Sequence, residues 1–347
     1  MKAAVLTHLK EPLQIFSDIE IPQLKRGQIL VKLAFSGVCH SQVMEARGHR
    51  GVDPWLPHML GHEGSGRVEQ IGDDVTKVAI GDNVILGWIK GEGIEAGGVK
   101  YRYRNQTINA GAVTTFNEYA IVSENRVVKS PAGLPLDIAV LFGCALLTGA
   151  GIVMNEIKPR HRASIAIFGL GGIGLSALMA TKLYEPSLVV AIDVSEDKLA
   201  LARELGATHT INPLNEDHLR TLAKLSPNGV HYAIEASGQA KVIEQAFQAV
   251  NRNGGLCVFA SHPKDGSRIN IDPYEMICGK QLRGSWGGAS HPDIDIPILA
   301  KLYIDGKLPL ERLITNRYSL EQINQAIHDL ENRNTGRPLI EINPSLT

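Results

Sequence analysis

The chain has 347 residues and a nearly balanced charge, with 35 Lys and Arg against 36 Asp and Glu. This length suggests two domains, and the balanced charge offers no basic surface for nucleic acid or an anionic membrane. The 4 cysteines lie far apart in the sequence, which does not suit a disulfide framework, and no apolar run is long enough for a membrane span. These features exclude disordered, collagenous, secreted and membrane classes. We therefore expect a cytoplasmic, enzyme-sized protein with neither a membrane nor a nucleic-acid partner.

Residues 1–130 are predicted to be rich in β-strands. Residues 28–35 alternate between the two faces of a strand and place four apolar side chains on one of them. Gly-rich turns separate this strand from further predicted strands at 66–71, 83–86 and 118–122. The first part of the chain is therefore expected to form β-sheets with tight connections.

From about residue 164 the pattern changes to strands that alternate with helices. The predicted strands are Ser164–Phe168, Leu188–Ile192, His209–Ile211, 230–235 and 255–260, and the helices are one that ends at Tyr184, 196–205 and 240–250. Ser195 suits the N-cap of the second helix and Gly206 its end. This alternation predicts a parallel, doubly wound sheet. Two helices, 294–303 and 320–331, and a strand near 338–342 follow.

A glycine motif, G-x-G-x-x-G, follows the first of these strands and opens a helix. Its glycines are Gly169, Gly171, Gly172 and Gly174, and Asp193 ends the next strand 19 residues beyond the last of them. Glycines here permit a tight turn and a close approach to a pyrophosphate, while the acidic residue accepts the ribose hydroxyls. The pattern predicts an NAD site, because the charge of Asp193 would repel the 2′-phosphate of NADP. The alternatives are a glycine turn without a ligand and an Asp193 that only caps its helix.

Three segments contain candidate metal ligands, namely Cys39, His62 and Cys144. Their spacing is not that of a structural zinc site and alone would identify no metal, since a lone cysteine in an apolar run is usually a buried small side chain. Two thiolates and one imidazole beside a dinucleotide motif, however, match the three-ligand set of a catalytic zinc whose fourth position is open.

These motifs together resemble the zinc-dependent medium-chain dehydrogenases/reductases, the alcohol dehydrogenase superfamily, over essentially the whole chain. The resemblance is closest to the class I and class III branch. It is carried by CHS at 39–41, GHEGSG at 61–66, GD at 81–82, VTTFNEYA at 113–120, LFGCALLTGAG at 141–151, GLGGIG at 169–174 and TGRPLI at 335–340.

The resemblance implies a role for individual residues. The zinc ligands would be Cys39, His62 and Cys144. The other catalytic residues would be Glu63 beside the metal, Ser41 in a proton relay and Thr148 near the nicotinamide. Cofactor contacts beyond the glycines and Asp193 would come from His40 and Arg337 at the pyrophosphate and from Lys198 at the adenosine ribose. Trp88 and Phe116 would line the substrate pocket.

The resemblance also implies an α/β fold of two domains. A GroES-like, β-rich catalytic domain would comprise 1–146 and 287–347, and a Rossmann domain 147–286, with a homodimer or homotetramer as the assembly. The implied activity is hydride transfer between an alcohol (a primary alcohol, polyol or sugar-type substrate) and NAD. The alternatives are a thiol-adduct dehydrogenase of the formaldehyde-oxidising type, a metal-free NADPH-dependent quinone or enone reductase on the same fold, and a non-enzymatic NAD-binding protein.

Three departures from the family pattern change these expectations. Residues 90–109, where the branch has four cysteines, contain none, so we expect no structural zinc. Gln42 replaces the usual Asp beside the ligand histidine; its amide oxygen can accept a hydrogen bond from that ring but brings no charge. Met44 replaces the histidine that often ends the proton relay, which leaves solvent, His49 or another group for the last step.

A basic stretch leaves the substrate class open. Lys100, Arg102 and Arg104 lie on one face of a possible strand. They would bind an anionic substrate tail or, alternatively, form a solvated surface ribbon in place of the missing cysteine lobe.

Overall fold

In a computed structural model, which describes residues 1–346, the chain divides into two units. The first contains Met1–Cys144 and His291–Thr347, and the second contains Ala145–Ser290. The catalytic role expected for the first of these domains and the NAD-binding role expected for the second stay predictions.

The stretch up to Cys144 is built mainly from strands. These are β1 (Ala3–Leu6), β2 (Gln14–Phe16), β3 (Gln28–Gly37), β4 (His58–Met59), β5 (Glu63–Ile71), β6 (Asn83–Gly87), β7 (Val99–Tyr103), β8 (Gln106–Ala110), β9 (Tyr119–Ser123) and β10 (Val127–Lys129). Its α-helices are α1 (His40–Ala46) and α2 (Leu136–Ala139).

The second unit alternates strands and helices, and the chain then returns to the first unit. The second unit contains α3 (Ala145–Gly151), β11 (Ser164–Phe168), α4 (Gly172–Thr181), β12 (Leu188–Ile192), α5 (Glu196–Glu204), β13 (His209–Ile211), α6 (His218–Leu225), β14 (Tyr232–Glu235), α7 (Ala240–Ala249), β15 (Leu256–Phe259), α8 (Pro273–Ile277) and β16 (Gln281–Gly284). The return contains α9 (Pro292–Ile304), β17 (Ile314–Ser319), α10 (Ile323–Glu331) and β18 (Arg337–Glu341).

Strand β3 is central to the first unit because it pairs with β5, β9 and β18 in a sheet ordered β10-β6-β5-β3-β18-β17. A second sheet is ordered β2-β1-β4-β8-β7. Ile29, Val31 and Leu33 pack into one core cluster and Leu30 into another, so both faces of β3 are buried. The sequence predicted a single apolar face, because it did not show that a second sheet covers the other side.

The second unit confirms the predicted doubly wound sheet. Its strands are parallel and ordered β13-β12-β11-β14-β15-β16. The strand order reverses at β11, and the glycine motif follows that strand. Ligands of open α/β sheets bind at such switch points, outside the carboxyl ends of the strands.

Two glycines of the motif have strict geometric reasons. Gly169 has a φ of +89°, a conformation that side chains with a Cβ rarely adopt. Gly174 lies so close to the turn that a Cβ would come within 1.9 Å of the carbonyl oxygen of Gly169. Gly171, by contrast, has a φ of −76°, and a Cβ added there would have nothing within 4 Å. The fold therefore requires glycine at positions 169 and 174, whereas no packing contact requires it at position 171.

Within the described residues, no single helix has the length and apolar character to cross a membrane. One bent pair of helices, Leu136–Gly143 and Ala145–Ile157, reaches the necessary length and apolar composition only when its two helices are taken together.

We expect Gly174→Ala to destabilise the second unit by about 1–3 kcal/mol, because the added methyl group has to push α4 away from the turn. Gly171→Ala is the matched control and should change stability by no more than about 0.5 kcal/mol. Hydrogen exchange of the β11 and α4 amides measures both changes. Equal protection in the two variants would mean that close helix–strand packing at Gly174 does not stabilise the unit.

Candidate functional site

Three side chains from distant parts of the sequence converge in the first unit. The Sγ atoms of Cys39 and Cys144 and a ring nitrogen of His62 all lie within 4.8 Å of one another, and His62 Nε2 is 3.2 Å from Cys144 Sγ. Cys39 lies at the exit of β3 and is the N-cap of α1, while His62 directly precedes β5. The sequence-predicted ligands are therefore brought together.

Glycine makes this convergence possible. Cys144 follows Gly143, where a Cβ would lie 2.4 Å from the carbonyl oxygen of Leu86 and 2.7 Å from the Cβ of Glu63. Gly61, before His62, has a φ of +90°. Both positions require glycine, because the backbone before each ligand either passes too close to a neighbour or turns through the left-handed region.

The donor set fits a zinc ion. Zinc at about 2.3 Å from sulfur and about 2.0–2.1 Å from nitrogen needs ligand atoms roughly 3.5–3.8 Å apart, which the span of this cluster accommodates. Hydrogen bonding from Cys144, followed by His62 and the charge of Arg337, holds the pKa of the Cys39 thiol well below its usual range despite burial. The same interaction with Cys39, together with burial, raises the pKa of Cys144.

A buried ion pair lies against the cluster. Glu63 is completely buried and Arg337 is 5% exposed, and the guanidinium donates to Glu63 Oε1. Burial raises the pKa of Glu63, although the charge of Arg337 opposes the shift. Among the described residues, neither Glu63 Oε2 nor Arg337 Nε has a hydrogen-bond partner. Glu63 does not belong to the group of three ligand atoms, so its place beside the metal stays a prediction. The resemblance implied a pyrophosphate contact for Arg337, which stays a prediction; the partner that the structure gives it is Glu63.

Two polar residues of α1 contact the other nitrogen of His62. Ser41 Oγ lies 3.4 Å from His62 Nδ1, and the amide nitrogen of Gln42 lies 2.5 Å from it. The amide oxygen of Gln42 instead accepts the backbone N–H of Cys39 at 2.8 Å. The sequence predicted that this oxygen serves the ring; the structure differs because an N-cap N–H also needs an acceptor. Met44 is buried, and His49 is half-buried.

A second cluster was not predicted from the sequence. His58 Nε2 lies 2.8 Å from Asp53 Oδ2, its Nδ1 lies 2.9 Å from the carbonyl oxygen of Met59, and Glu45 is close enough to complete a group of three. Both ring nitrogens face oxygen atoms, so His58 ties the loop before β4 to the sheet. The spacing of these residues matches no known motif and gave no signal.

The dinucleotide motif in the second unit is held by Asp193. Its Oδ2 accepts the N–H of Leu170 at 2.7 Å and its Oδ1 accepts the N–H of Ser195 at 3.0 Å. Ser195 occupies the N-cap of α5 as predicted, but its side chain makes no capping hydrogen bond. Asp193 therefore fastens the glycine turn to the start of α5. Asp193 is half-buried, and its contact with a ribose stays a prediction.

The remaining predicted residues lie in varied surroundings. Thr148 is buried on α3, Lys198 is half-buried on α5, and His40 is exposed at the start of α1. Trp88 is half-buried, which suits a pocket wall. Phe116 has no exposed surface and packs in a core cluster of the first unit, where it supports the surrounding strands rather than offering a face to a ligand.

The basic stretch forms strand β7. Lys100 and Arg102 are exposed, whereas Tyr101 between them is buried and its hydroxyl accepts the N–H of Ile121. Arg104 turns back so that its guanidinium lies 5.0 Å from the ring centre of Tyr103. This arrangement favours the solvated ribbon over an anion-binding face.

Comparisons with known proteins agree with this geometry. Residues 25–132 match the family model described as an alcohol dehydrogenase GroES-like domain, and residues 172–302 match that of a zinc-binding dehydrogenase. Alcohol dehydrogenase class-P of Arabidopsis thaliana is 29% identical over 94% of this chain and 93% of its own. S-(hydroxymethyl)glutathione dehydrogenase of a Synechocystis strain is also 29% identical, over 94% of this chain and 96% of its own.

Solved structures are similar over nearly the full length. A benzyl alcohol dehydrogenase from Acinetobacter calcoaceticus superimposes with a TM-score of 0.89 at 31% identity, covering 98% of this chain and 99% of its own. An alcohol dehydrogenase zinc-binding domain protein from Burkholderia ambifaria gives 0.90 at 32% identity, covering 98% of each chain.

The ion pair yields a stability prediction. Arg337→Met should destabilise the first unit by roughly 3 kcal/mol, because it leaves the Glu63 carboxylate buried without a counter-charge. Removing that charge as well, in Glu63→Gln/Arg337→Met, should recover much of the loss. Arg317→Met, which breaks the partly exposed pairs with Asp137 and Glu341, is the control and should cost less than about 1 kcal/mol.

Denaturant unfolding of the four proteins measures these differences. If Arg337→Met were no less stable than Arg317→Met, the buried pair would not hold the strand ends together.

Proposed function

Because the chain belongs to the zinc-type medium-chain alcohol dehydrogenase family, we propose that it is a zinc- and NAD-dependent oxidoreductase that interconverts an alcohol with its aldehyde or ketone. The substrate would be a primary alcohol, a polyol or a sugar-type alcohol. The observation that carries the proposal is the convergence of Cys39, His62 and Cys144 within 4.8 Å in the first unit.

One zinc ion would be held by these three residues, with its fourth position open to the substrate oxygen. When bound, zinc supplies a Lewis acid for that oxygen and NAD supplies the hydride acceptor. The thiolates of Cys39 and Cys144 bring negative charge, which the Arg337 guanidinium offsets in a buried setting. Glu63, which pairs with the same guanidinium, is the carboxylate that the family pattern assigns to the vicinity of the metal.

Proton movement is assigned to Ser41. The family pattern gives its hydroxyl the task of receiving a proton from the substrate oxygen and passing it toward solvent. In this structure Oγ is half-buried and lies 3.4 Å from His62 Nδ1. The relay cannot continue through the side chain of Met44. The half-buried His49 or water would therefore complete it. Thr148 is assigned to orient the nicotinamide ring.

A second, structural zinc is not part of the proposal. Cys257 packs in the core of the second unit, and Cys278 also belongs to that unit. In the first unit a carboxylate connects two loop segments. Glu124 accepts the backbone N–H groups of Thr76, Lys77 and Ile94 at 2.7, 2.8 and 2.9 Å. Although burial opposes ionisation, these N–H groups hold the pKa of Glu124 below its usual value. The start of the cysteine-free segment is thus fixed without a metal.

NAD would bind at the glycine motif of the second unit. The open space beside Gly171, the helix N-terminus behind it and the Asp193 carboxylate support this assignment. His40, Lys198 and Arg337 remain assigned to the cofactor on the strength of the family pattern alone.

An assembly of two or four copies is also proposed. Strand β16 is an edge of its sheet, and Ile277 and Trp286, which precede and follow it, each expose 80% of their surface. An unpaired edge flanked by large apolar side chains favours pairing with another chain.

The metal assignment is tested by Cys144→Ser. We expect purified wild-type protein to contain about one zinc per chain, and this variant to lose most of its zinc and nearly all turnover while still binding NADH. Cys278→Ser, a half-buried thiol outside the cluster, is the matched control and should keep both. Elemental analysis and NADH fluorescence supply the readouts. Wild-type zinc content and activity in Cys144→Ser would remove this residue from the site.

The substrate class is found in the same experiments by measuring NAD and NADP reduction with primary alcohols, polyols, sugar phosphates and S-(hydroxymethyl)glutathione. Zinc near zero in a folded, NADH-binding wild-type protein, with no activity restored by metal, would contradict the zinc-dependent reaction.

The cofactor assignment is tested by Asp193→Ser. Removing the carboxylate should weaken NAD binding and improve NADP binding, so that the ratio of kcat/KM for NAD over NADP falls at least tenfold. Asp197→Ser, an exposed acidic residue in the first turn of α5, is the control for net charge and should leave that ratio near the wild-type value. An unchanged ratio in Asp193→Ser would show that this carboxylate does not face the ribose.

A further inference from the structure

His62 is held at both of its ring nitrogens. Nε2 faces the cluster, 3.2 Å from Cys144 Sγ, and Nδ1 faces α1, where it contacts Gln42 and Ser41. If the cluster binds zinc, as the proposed function requires, the ring therefore coordinates through Nε2. A neutral imidazole that coordinates through one nitrogen carries its proton on the other.

Gln42 joins this ring to the start of α1. Its oxygen accepts the N–H of Cys39 at 2.8 Å, and its amide nitrogen lies 2.5 Å from His62 Nδ1. The side chain is 1% exposed, so water does not substitute for either contact. In this arrangement the amide donates to Nδ1, which leaves the ring proton on Nε2, facing the sulfur of Cys144. With the ring proton on Nε2, each of these contacts pairs one donor with one acceptor.

The balance of donors and acceptors changes when a metal is bound. The proton is then on Nδ1, and two N–H groups, those of Cys39 and His62, point at one amide that has a single acceptor oxygen. Rotating the amide by 180° satisfies the ring but turns an NH₂ group toward the N–H of Cys39. The conflict is thus present whichever way the amide is placed. A carboxylate, with two acceptor oxygens, would satisfy both groups at once.

We propose that Gln42 is a positioning residue that favours the metal-free tautomer of His62 and thereby weakens zinc binding at this site. On zinc binding, Ser41 Oγ takes over as the acceptor for Nδ1–H, and Gln42 keeps its bond to Cys39. Occupancy of the metal site is in this way coupled to the hydrogen bonding of the residue assigned to move the proton.

The decisive variant is Gln42→Glu, which replaces the NH₂ group by an oxygen of nearly the same size. We expect its zinc affinity, measured by competition with a chromophoric chelator, to rise by about 10–100-fold. Gln322→Glu is the matched control: Gln322 also accepts the N-cap N–H of its helical turn, from Ser319 at 2.9 Å, in the same unit. It adds the same charge in the same kind of capping contact and should leave zinc affinity unchanged.

The tautomer is read directly by long-range ¹H–¹⁵N correlation spectra of protein labelled with ¹⁵N-histidine, with the His62 signals identified by their loss in His62→Gln. Metal-free wild-type protein should show His62 protonated at Nε2, and the zinc-bound protein at Nδ1. Metal-free Gln42→Glu should already show protonation at Nδ1. A purely electrostatic gain in zinc affinity would not move the proton between the two nitrogens.

Ser41→Ala adds a test of the acceptor. It should weaken zinc binding in the wild-type background and have little effect in the Gln42→Glu background, where the ring no longer needs the hydroxyl as an acceptor.

Protonation of His62 at Nδ1 in metal-free wild-type protein, or equal zinc affinity of wild type and Gln42→Glu, would overturn the proposal. Failure of the wild-type protein to bind zinc would instead overturn the proposed function, and the metal-free spectrum would still test the Gln42 contact. If Gln42→Glu does not fold, the wild-type spectra with and without zinc decide the question alone.

Discussion

The arrangement of the first unit depends on the buried ion pair between Glu63 and Arg337. Glu63 is the first residue of β5 and Arg337 the first of β18, and both strands flank the end of β3. The pair therefore fixes three strand ends at one place, directly before the chain leaves β3 toward Cys39. A cation and an anion this deeply buried are tolerated only as partners. A Cβ at Gly37 would come within 2.4 Å of Glu63 Oε1, so the backbone of β3 also has to be glycine there.

The same pair sets the electrostatics of the metal cluster. Two thiolates and a carboxylate would together carry more negative charge than a buried site holds easily, and the Arg337 guanidinium is the permanent positive charge among them. Burial opposes the charge of Arg337, yet Glu63 and the two cysteines raise its pKa above the ordinary value. A divalent cation adds to this balance rather than creating it. The charge of Arg337 thus offsets part of the negative charge of the ligands, and a zinc ion would offset the rest.

Much of this organisation could be predicted from the sequence because it rests on strict local requirements. The glycine motif, the alternation of strands and helices after Ser164 and the acidic end of β12 each follow from backbone geometry or from a repeated pattern. Features that depend on packing between distant segments could not be read. Examples are the second buried face of β3, the full burial of Phe116 and the hydrogen bond between Asp53 and His58. Helices α6 and α8 and strand β16 were also missed. Helix α8 and strand β16 have only 5 and 4 residues, whereas the amphipathic pattern of α6 and its Asp217 N-cap could have been read from the sequence.

The residues of the candidate site could be predicted from the sequence, but the hydrogen bonds between them could not. Motif resemblance located Cys39, His62 and Cys144, yet it gave no direction for the amide of Gln42, because that direction is decided by a backbone N–H at the start of α1. The cysteine-free segment illustrates the same limit. Its lack of ligands was visible in the sequence, whereas the carboxylate of Glu124 that fixes it became visible only through three backbone contacts.

The contacts of Glu124 have a consequence for the proposed zinc site. If Glu124 and its N–H partners stabilise the first unit without zinc, the fold of this unit does not depend on metal supply. Zinc can then leave and return at Cys39, His62 and Cys144 without unfolding their surroundings, because the Glu63–Arg337 pair and the Gln42 bridge hold the ligands in place in its absence. A preformed cluster of this kind separates metal binding from folding, which structural zinc sites usually combine. The occupancy of the cluster would accordingly report on metal affinity alone, and Gln42, through the single acceptor of its amide, is the residue of α1 that tunes it.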